Sequence, residues 1–180
     1  GGFVLPTVIP QATTVELAPR DDRQVRVFST AVDDPRPAGY ELGHEAPQHT
    51  WMDYAQSITW VLAGAGHTLG GADIRIESSV PLGSGLSSSA ALEIALLRAW
   101  RAAYGLEIPD VPLARLGQRA ENEFVGAPVG IMDQMACSLA EERVALFLDT
   151  RTLEFARVPL PKGVDLVVIN SGVSHRHAAG

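Results

Sequence analysis

The period of apolar and polar positions changes several times along this chain, and each change marks an element. From Ala72 to Ser79, Ile74 and Ile76 alternate with Asp73, Arg75 and Glu77, which predicts a strand with one buried face. Val- and Thr-rich stretches predict two earlier strands, Phe3–Leu17 with a kink at Pro10, and Gln24–Thr30, separated by a break at Pro19–Asp22. Asp33 to Gln48 carries Pro35, Pro37, Gly39, Gly43 and Pro47 and reads as an irregular connection. Thr50 is placed to cap a helix running to about Ala63, in which Tyr54, Ile58 and Val61 recur at helical spacing before Gly64 and Gly66.

A turn, Pro81–Leu86, leads into a long apolar helix from about Ser87 to Tyr104. Asp110 and Pro112 open a helix running to about Phe124, and Gly126-Ala127-Pro128 separates it from a short helical piece over Ile131–Leu139. Strands are expected at Val144–Leu148, Leu153–Arg157 and Val164–Asn170. Strands and helices mix without a regular βαβ alternation, so the class is α+β. There is no internal repeat and no low-complexity tract.

Composition narrows the function classes. The 180 residues, 46% hydrophobic and 19% charged, fit one globular domain with the start of another. No apolar run reaches the roughly 18 residues of a membrane span. The opening Gly1–Pro10 has no basic segment or cleavage site of a signal peptide, and it reads as the middle of a protein. The single cysteine, Cys137, stands between Ala136 and Ser138 and reads as a small core residue in a reducing compartment, which makes the expected location cytoplasmic. A formal charge of −7 argues against nucleic acid as a partner. It does not argue against a nucleotide, because backbone N–H groups, a helix N-terminus and a metal ion hold phosphate locally.

The segment Val80-Pro-Leu-Gly-Ser-Gly-Leu-Ser-Ser-Ser-Ala90 concentrates glycine and serine where a strand gives way to a helix. Gly83 and Gly85 are free to take positive φ, and the first helical turn leaves N–H groups that favour an anion. Loop chemistry alone leaves two readings open, a phosphate cradle or a helix capped by Ser87. The segment is not a Walker loop, since no Lys-Ser/Thr follows its glycines, and it lacks the third glycine of a dinucleotide fingerprint. Nor is it a Gly-x-Ser-x-Gly nucleophile elbow.

Two carboxylates accompany the loop. Glu121 borders the apolar stripe Leu113, Leu116, Ala120 and Phe124, with Gly117 leaving room one turn earlier; a surface glutamate on a polar flank is the competing reading. Asp133 lies among Ile131, Met132, Met135 and Ala136, so it either faces a partly buried site, where it needs a partner, or caps a helix. Trp51 and Tyr54 share a helix face suited equally to an adenine edge or to core packing. His175 and His177 read as loop residues rather than metal ligands, and Asp21–Arg23 and Glu141–Arg143 as solvated turns.

Pro81 to Ala90 resembles the phosphate-binding motif of the GHMP kinases. Glu121-Asn-Glu-Phe-Val-Gly and Gly130-Ile-Met-Asp-Gln resemble stretches of the galactokinases within that superfamily, as do Gly1–Pro10 and Asn170–His175. The resemblance implies the family's N-terminal, ATP-binding domain over residues 1–160, incomplete at its start, with 161–180 beginning the C-terminal domain. The implied fold is that of the second domain of a small-subunit ribosomal protein. It further implies ATP and Mg²⁺ as cofactors and galactose as the sugar, phosphorylated at its anomeric hydroxyl by a monomeric enzyme.

Residue by residue, the resemblance puts Gly83, Ser84, Gly85, Leu86, Ser87, Ser88 and Ser89 around the nucleotide, and Ser29 against it. Ser89 and Glu121 are the implied metal ligands. Asp133 is the implied catalytic base, with Gly130 beside it at the sugar. The family's Arg and Gly-Glu-His-Thr-Asp-Tyr-like signature is expected before Gly1, and a sugar-contacting tyrosine beyond Gly180. This stretch by itself is therefore expected to show little activity, because a positioned acceptor carries much of the rate. An N-acetylgalactosamine or arabinose kinase and a non-catalytic sugar sensor are the alternatives, and the intact Ser87-Ser88-Ser89-Ala90 favours an enzyme.

Overall fold

The computed structural model describes residues 2–32, 36–163, 167 and 169. The expected strand Val164–Asn170, the stretch Asn170–His175 and the two histidines His175 and His177 therefore lie largely or wholly outside the described residues.

Among the described residues, two sheets and four α-helices share one core. Strands β1 (Phe3–Val4), β2 (Thr13–Arg20), β3 (Gln24–Ser29) and β4 (Ala38–Glu41) precede helix α1 (Met52–Gly64) and strand β5 (Gly71–Ser78). Helices α2 (Ser88–Ala103), α3 (Asp110–Arg119) and α4 (Met132–Leu139) follow, and strands β6 (Val144–Asp149) and β7 (Phe155–Pro159) close the order. A π-helical segment, Ala120–Val125, continues α3.

The larger sheet runs β2-β5-β3-β4, with β3 parallel to β5 and the other pairs antiparallel. Its inner face carries Val25, Val27, Ile74 and Ile76, all buried, against Gln24, Arg26, Arg75 and Glu77 outside, the alternation that marks a sheet covered on one side. The covering layer supplies Ile58 and Leu62 of α1, Ile94, Leu97 and Trp100 of α2, Leu113 of α3 and Met135 of α4. Leu146 and Leu148 tie the smaller sheet, β1-β6-β7, to the same cluster. Each fully buried Leu or Ile stabilises the fold by roughly 1.5–3 kcal/mol relative to exposure.

The structure departs from the pattern reading at four places. Phe3–Leu17 is two strands in different sheets rather than one kinked strand, because Pro6 and Pro10 have no N–H to keep a continuous ladder. Within the stretch read as irregular, Ala38–Glu41 pairs with β3, and the Tyr40 hydroxyl donates to the Ala55 carbonyl at 3.1 Å. Leu153 adopts φ 62° in the turn after β6, so β7 starts two residues later than the apolar run suggests. Thr50 caps one position early, accepting the Met52 N–H at 3.3 Å, while the Asp53 carboxylate reaches back to the N–H groups of Gln48 and His49.

Candidate active site

The parallel pairing of β3 and β5 brings two strand ends to one edge of the larger sheet, with Ser29 opposite Ile76. From that edge the chain runs through residues 79–87 into α2. Gly83 and Gly85 take φ of 66° and 73°, the left-handed region that a glycine enters without strain. Ser87 enters it too, at φ 57° and ψ 40°, and its side chain makes no cap hydrogen bond. The Ser87 carbonyl accepts the Ala91 N–H at 3.0 Å, and Pro81, Leu82, Ser84 and Gly85 are exposed. The bend thus presents a helix N-terminus that its own N-cap side chain leaves uncapped. A non-glycine residue held at positive φ in such a place is a feature found at ligand-binding sites.

Ser29 is buried at the same sheet edge, and its hydroxyl accepts the Ala31 N–H at 3.3 Å.

Below the bend, two acidic side chains face each other in the protein interior. Glu121 stands on the π-helical segment and is only 4% exposed, so the reading of a surface glutamate is set aside. The wider π turn ends at Gly126, where the Ala127 N–H closes onto the Glu121 carbonyl at 3.0 Å. Such turns are short insertions in α-helices, frequent at functional sites. Glu93 of α2 is wholly buried and occupies the inner stripe Ala90, Ile94, Leu97, Trp100. Gln134 of α4, also wholly buried, donates through Nε2 to Glu121 Oε2 at 2.9 Å and to Glu93 Oε2 at 3.1 Å.

Asp133 precedes Gln134 and is half-buried. It lies near enough to Glu121 to disfavour its charge. It does not cap α4, whose N-cap is Ile131, and no described residue supplies the hydrogen-bond or ion-pair partner expected for it. Its approach is fixed from outside: Asn122 Oδ1 accepts the Val129 N–H at 2.7 Å, and Gln118 donates to the Val129 carbonyl at 3.1 Å. These bonds hold the residue before Gly130, which leads into α4. Gly130 and Ile131 line a cleft of about 360 Å³ with Arg115, Gln118 and Arg151.

The electrostatics follow from this crowding. Burial first, then the neighbouring Glu121 charge, pushes the Glu93 carboxyl up to about 9. Burial raises Glu121 as well, opposed by Ser89, Glu93 and Gln134 as hydrogen-bonding neighbours. Tyr54, half-buried on α1, is pushed up to about 12 by burial and then by the charges of Glu121 and Glu93. Trp51 packs on the core edge. Among the described residues no Lys, Arg or His forms an ion pair with Glu93, Glu121 or Asp133.

No group of three or more His, Cys, Asp or Glu is arranged to hold a metal among the described residues. Ser89 and Glu121 nevertheless fit a hard divalent cation. They offer oxygen donors in a locally anionic site, and Mg²⁺ commonly takes one or two carboxylates and fills its shell with water and phosphate oxygens.

Sequence reasoning singled out the bend, Glu121 and Asp133, and the fold brings them to one region. It passed over Glu93 and Gln134. The signal for Glu93 was present: it falls three residues after Ala90 and one before Ile94, so the helical period puts an ionisable side chain on the buried stripe.

The GHMP kinases N terminal domain matches residues 39–141. The chain is 43% identical to the galactokinase of Streptomyces coelicolor over 99% of its own length and 47% of that protein. With the galactokinase of Thermococcus kodakarensis the identity is 38%, over 99% of the chain and 50% of the relative. The chain therefore spans about half the length of the curated relatives it matches. The crystal structure of Lactococcus lactis galactokinase complexed with galactose superposes with a TM-score of 0.85 at 32% identity, covering 88% of this chain and 42% of that one. With more than half of its residues inside the matched domain, and a fold that agrees, this chain belongs to the GHMP kinases.

Proposed function

We propose that this chain is the nucleotide-binding half of a galactokinase, which transfers the γ-phosphoryl group of ATP to the anomeric hydroxyl of galactose. The observation that carries the reading is an uncapped helix N-terminus whose Ser89 is a hydrogen-bonding neighbour of the buried Glu121 carboxyl, with the half-buried Asp133 near enough to act on the same group. Relatives named galactokinase match along 98–99% of the chain, and a relative solved with galactose shares the fold.

In this reading the N–H groups of Gly83 to Ser89 hold the phosphates, with the hydroxyls of Ser84, Ser87 and Ser88 as further donors and Leu86 closing the bend. Ser29, on the same sheet edge, is a further nucleotide contact. Ser89 and Glu121 hold Mg²⁺, which when bound neutralises charge on the phosphate oxygens. Asp133, helped by the adjacent Gly130 at the sugar, orients the anomeric hydroxyl and accepts its proton. The sugar oxygen forms its bond to the γ-phosphorus as the bond to the bridging oxygen of ADP breaks. Asp133 suits this step as a half-buried carboxylate near the Glu121 that is proposed to hold the metal.

The test is phosphate transfer from ATP by the full reading-frame product, assayed with galactose, N-acetylgalactosamine and arabinose, with Asp133→Ala as control. Galactose should be the preferred acceptor, and the variant should lose roughly 10²–10⁴ in turnover. Normal turnover by Asp133→Ala would remove the base assignment, and a preference for another sugar would reassign the substrate.

A further inference from the structure

Glu93 and Gln134 have no task in the proposed transfer, although both are wholly buried and joined to Glu121 through the Gln134 amide. An acid and an amide in a helical interior cost stability unless their polar atoms are bonded. Here one nitrogen, Gln134 Nε2, is shared between two carboxyl groups on two other elements, 3.1 Å from Glu93 and 2.9 Å from Glu121. The other oxygens, Glu93 Oε1 and Gln134 Oε1, have no partner among the described residues. The packing around Gln134 is tight: a Cβ on Gly117 would come within 3.3 Å of Gln134 Cγ and of Ile94 Cδ1. The arrangement thus gives up hydrogen bonds and a side chain to keep an amide in one place.

We propose that Glu93 and Gln134 form a positioning pair, in which Glu93 anchors the Gln134 amide and the amide fixes the orientation of the Glu121 carboxylate toward a divalent cation. This rests on the proposed metal role of Glu121. Neither Glu93 nor Gln134 touches the reacting atoms; both act through Glu121. Partners of this kind typically change metal affinity by about 10–100-fold when removed. Because Glu93 Oε2 accepts the Nε2–H and the same carboxyl is a hydrogen-bonding neighbour of Glu121, glutamine at that position should replace it and leucine should not.

The experiment uses the full reading-frame product and measures Mn²⁺ binding by calorimetry with a non-hydrolysable ATP analogue present. Galactose binding is measured in parallel without metal. Gln134→Met and Glu93→Leu should each weaken Mn²⁺ about tenfold or more and leave galactose affinity within about twofold. Glu93→Gln should recover most of that loss, and Gly117→Ala, which displaces Gln134 without removing it, should fall between. Glu121→Gln separates the two claims. If it leaves Mn²⁺ affinity unchanged, the metal role of Glu121 fails and the pair's role fails with it. If it weakens Mn²⁺ while folded Gln134→Met does not, the positioning role alone is wrong. Equal loss of metal and galactose binding in Gln134→Met would show a merely structural glutamine and overturn the proposal. Should Gln134→Met not fold, Glu93→Leu against Glu93→Gln and Gly117→Ala decide by the same criteria.

Discussion

Trp60 on α1 meets Phe124 of the π-helical segment, ring centroids 5.7 Å apart and planes tilted by 51°. Phe124 is 6% exposed and Trp60 37%, so the pair seals the outer edge of the turn that holds Glu121. Tilted aromatic pairs are worth about 0.5–1.5 kcal/mol beyond their area. Trp60→Ala should cost about 2 kcal/mol in urea unfolding, less than a fully buried tryptophan, and Trp60→Phe well under half of that. An equal loss in both variants would show that the indole matters for something other than this ring contact.

The Glu93 carboxyl sets a pH dependence with a definite sign. Burial, then the Glu121 charge, pushes it up to about 9, from 4.5 for the free side chain. Below the lower value both states carry the proton and Glu93 has no effect on the balance. Between the two, the folded state keeps a proton that the unfolded state gives up, so stability falls as pH rises, and the loss levels off near the upper value. In metal-free buffer the stability of Glu93→Gln minus that of wild type should therefore grow steadily from pH 5 to pH 9. A difference independent of pH would mean that Glu93 is ionised in the fold.

The elements legible in the sequence were those governed by local period. Ile74 and Ile76 announced β5, and Tyr54, Ile58 and Val61 announced α1 within two residues of its ends. The glycines of the bend, Gly83 and Gly85, announced their own positive φ. What stayed hidden depended on partners distant in sequence. Ala38–Glu41 is a strand because β3 offers it an edge, and Phe3–Val4 belongs with β6, some 145 positions away, a pairing that no local pattern encodes. The π turn was hidden for the same reason. Nothing in Ala120–Val125 distinguishes it from more of α3, yet it carries Glu121 into the interior. Of the site, the residues on the bend and the two expected carboxylates could be read, whereas the Gln134 bridge exists only once α2, the π turn and α4 are packed together.

Ser87 tests whether the bend is held by its backbone or by a cap. An L-residue in the left-handed region costs about 1–2 kcal/mol, and glycine relieves it at the expense of a more flexible unfolded chain. Since the hydroxyl makes no cap bond, Ser87→Ala should change stability by less than about 0.5 kcal/mol and Ser87→Gly should be neutral or slightly stabilising. Ser87→Val, β-branched at φ 57°, should be the most damaging of the three. A loss near 1 kcal/mol in Ser87→Ala, read from chemical denaturation, would reveal a capping hydroxyl.

Cys137 offers an independent probe of α4, the helix that carries Asp133. It sits on α4, one turn after Asp133, half-buried, and burial followed by the Asp133 charge pushes its thiol up to about 11. The thiolate is the reactive form, and an ordinary cysteine near pKa 8.5 holds a substantial fraction of it at pH 8. The difference amounts to about two orders of magnitude in thiolate population, before any loss of access. Alkylation by iodoacetamide at pH 8 should accordingly be at least about 100-fold slower than for an unstructured cysteine peptide, and should approach the peptide's rate in denaturing urea. Because Asp133 opposes the thiolate, Asp133→Asn should speed the folded-state reaction. A variant rate equal to wild type would place the Asp133 carboxylate away from the thiol and toward solvent.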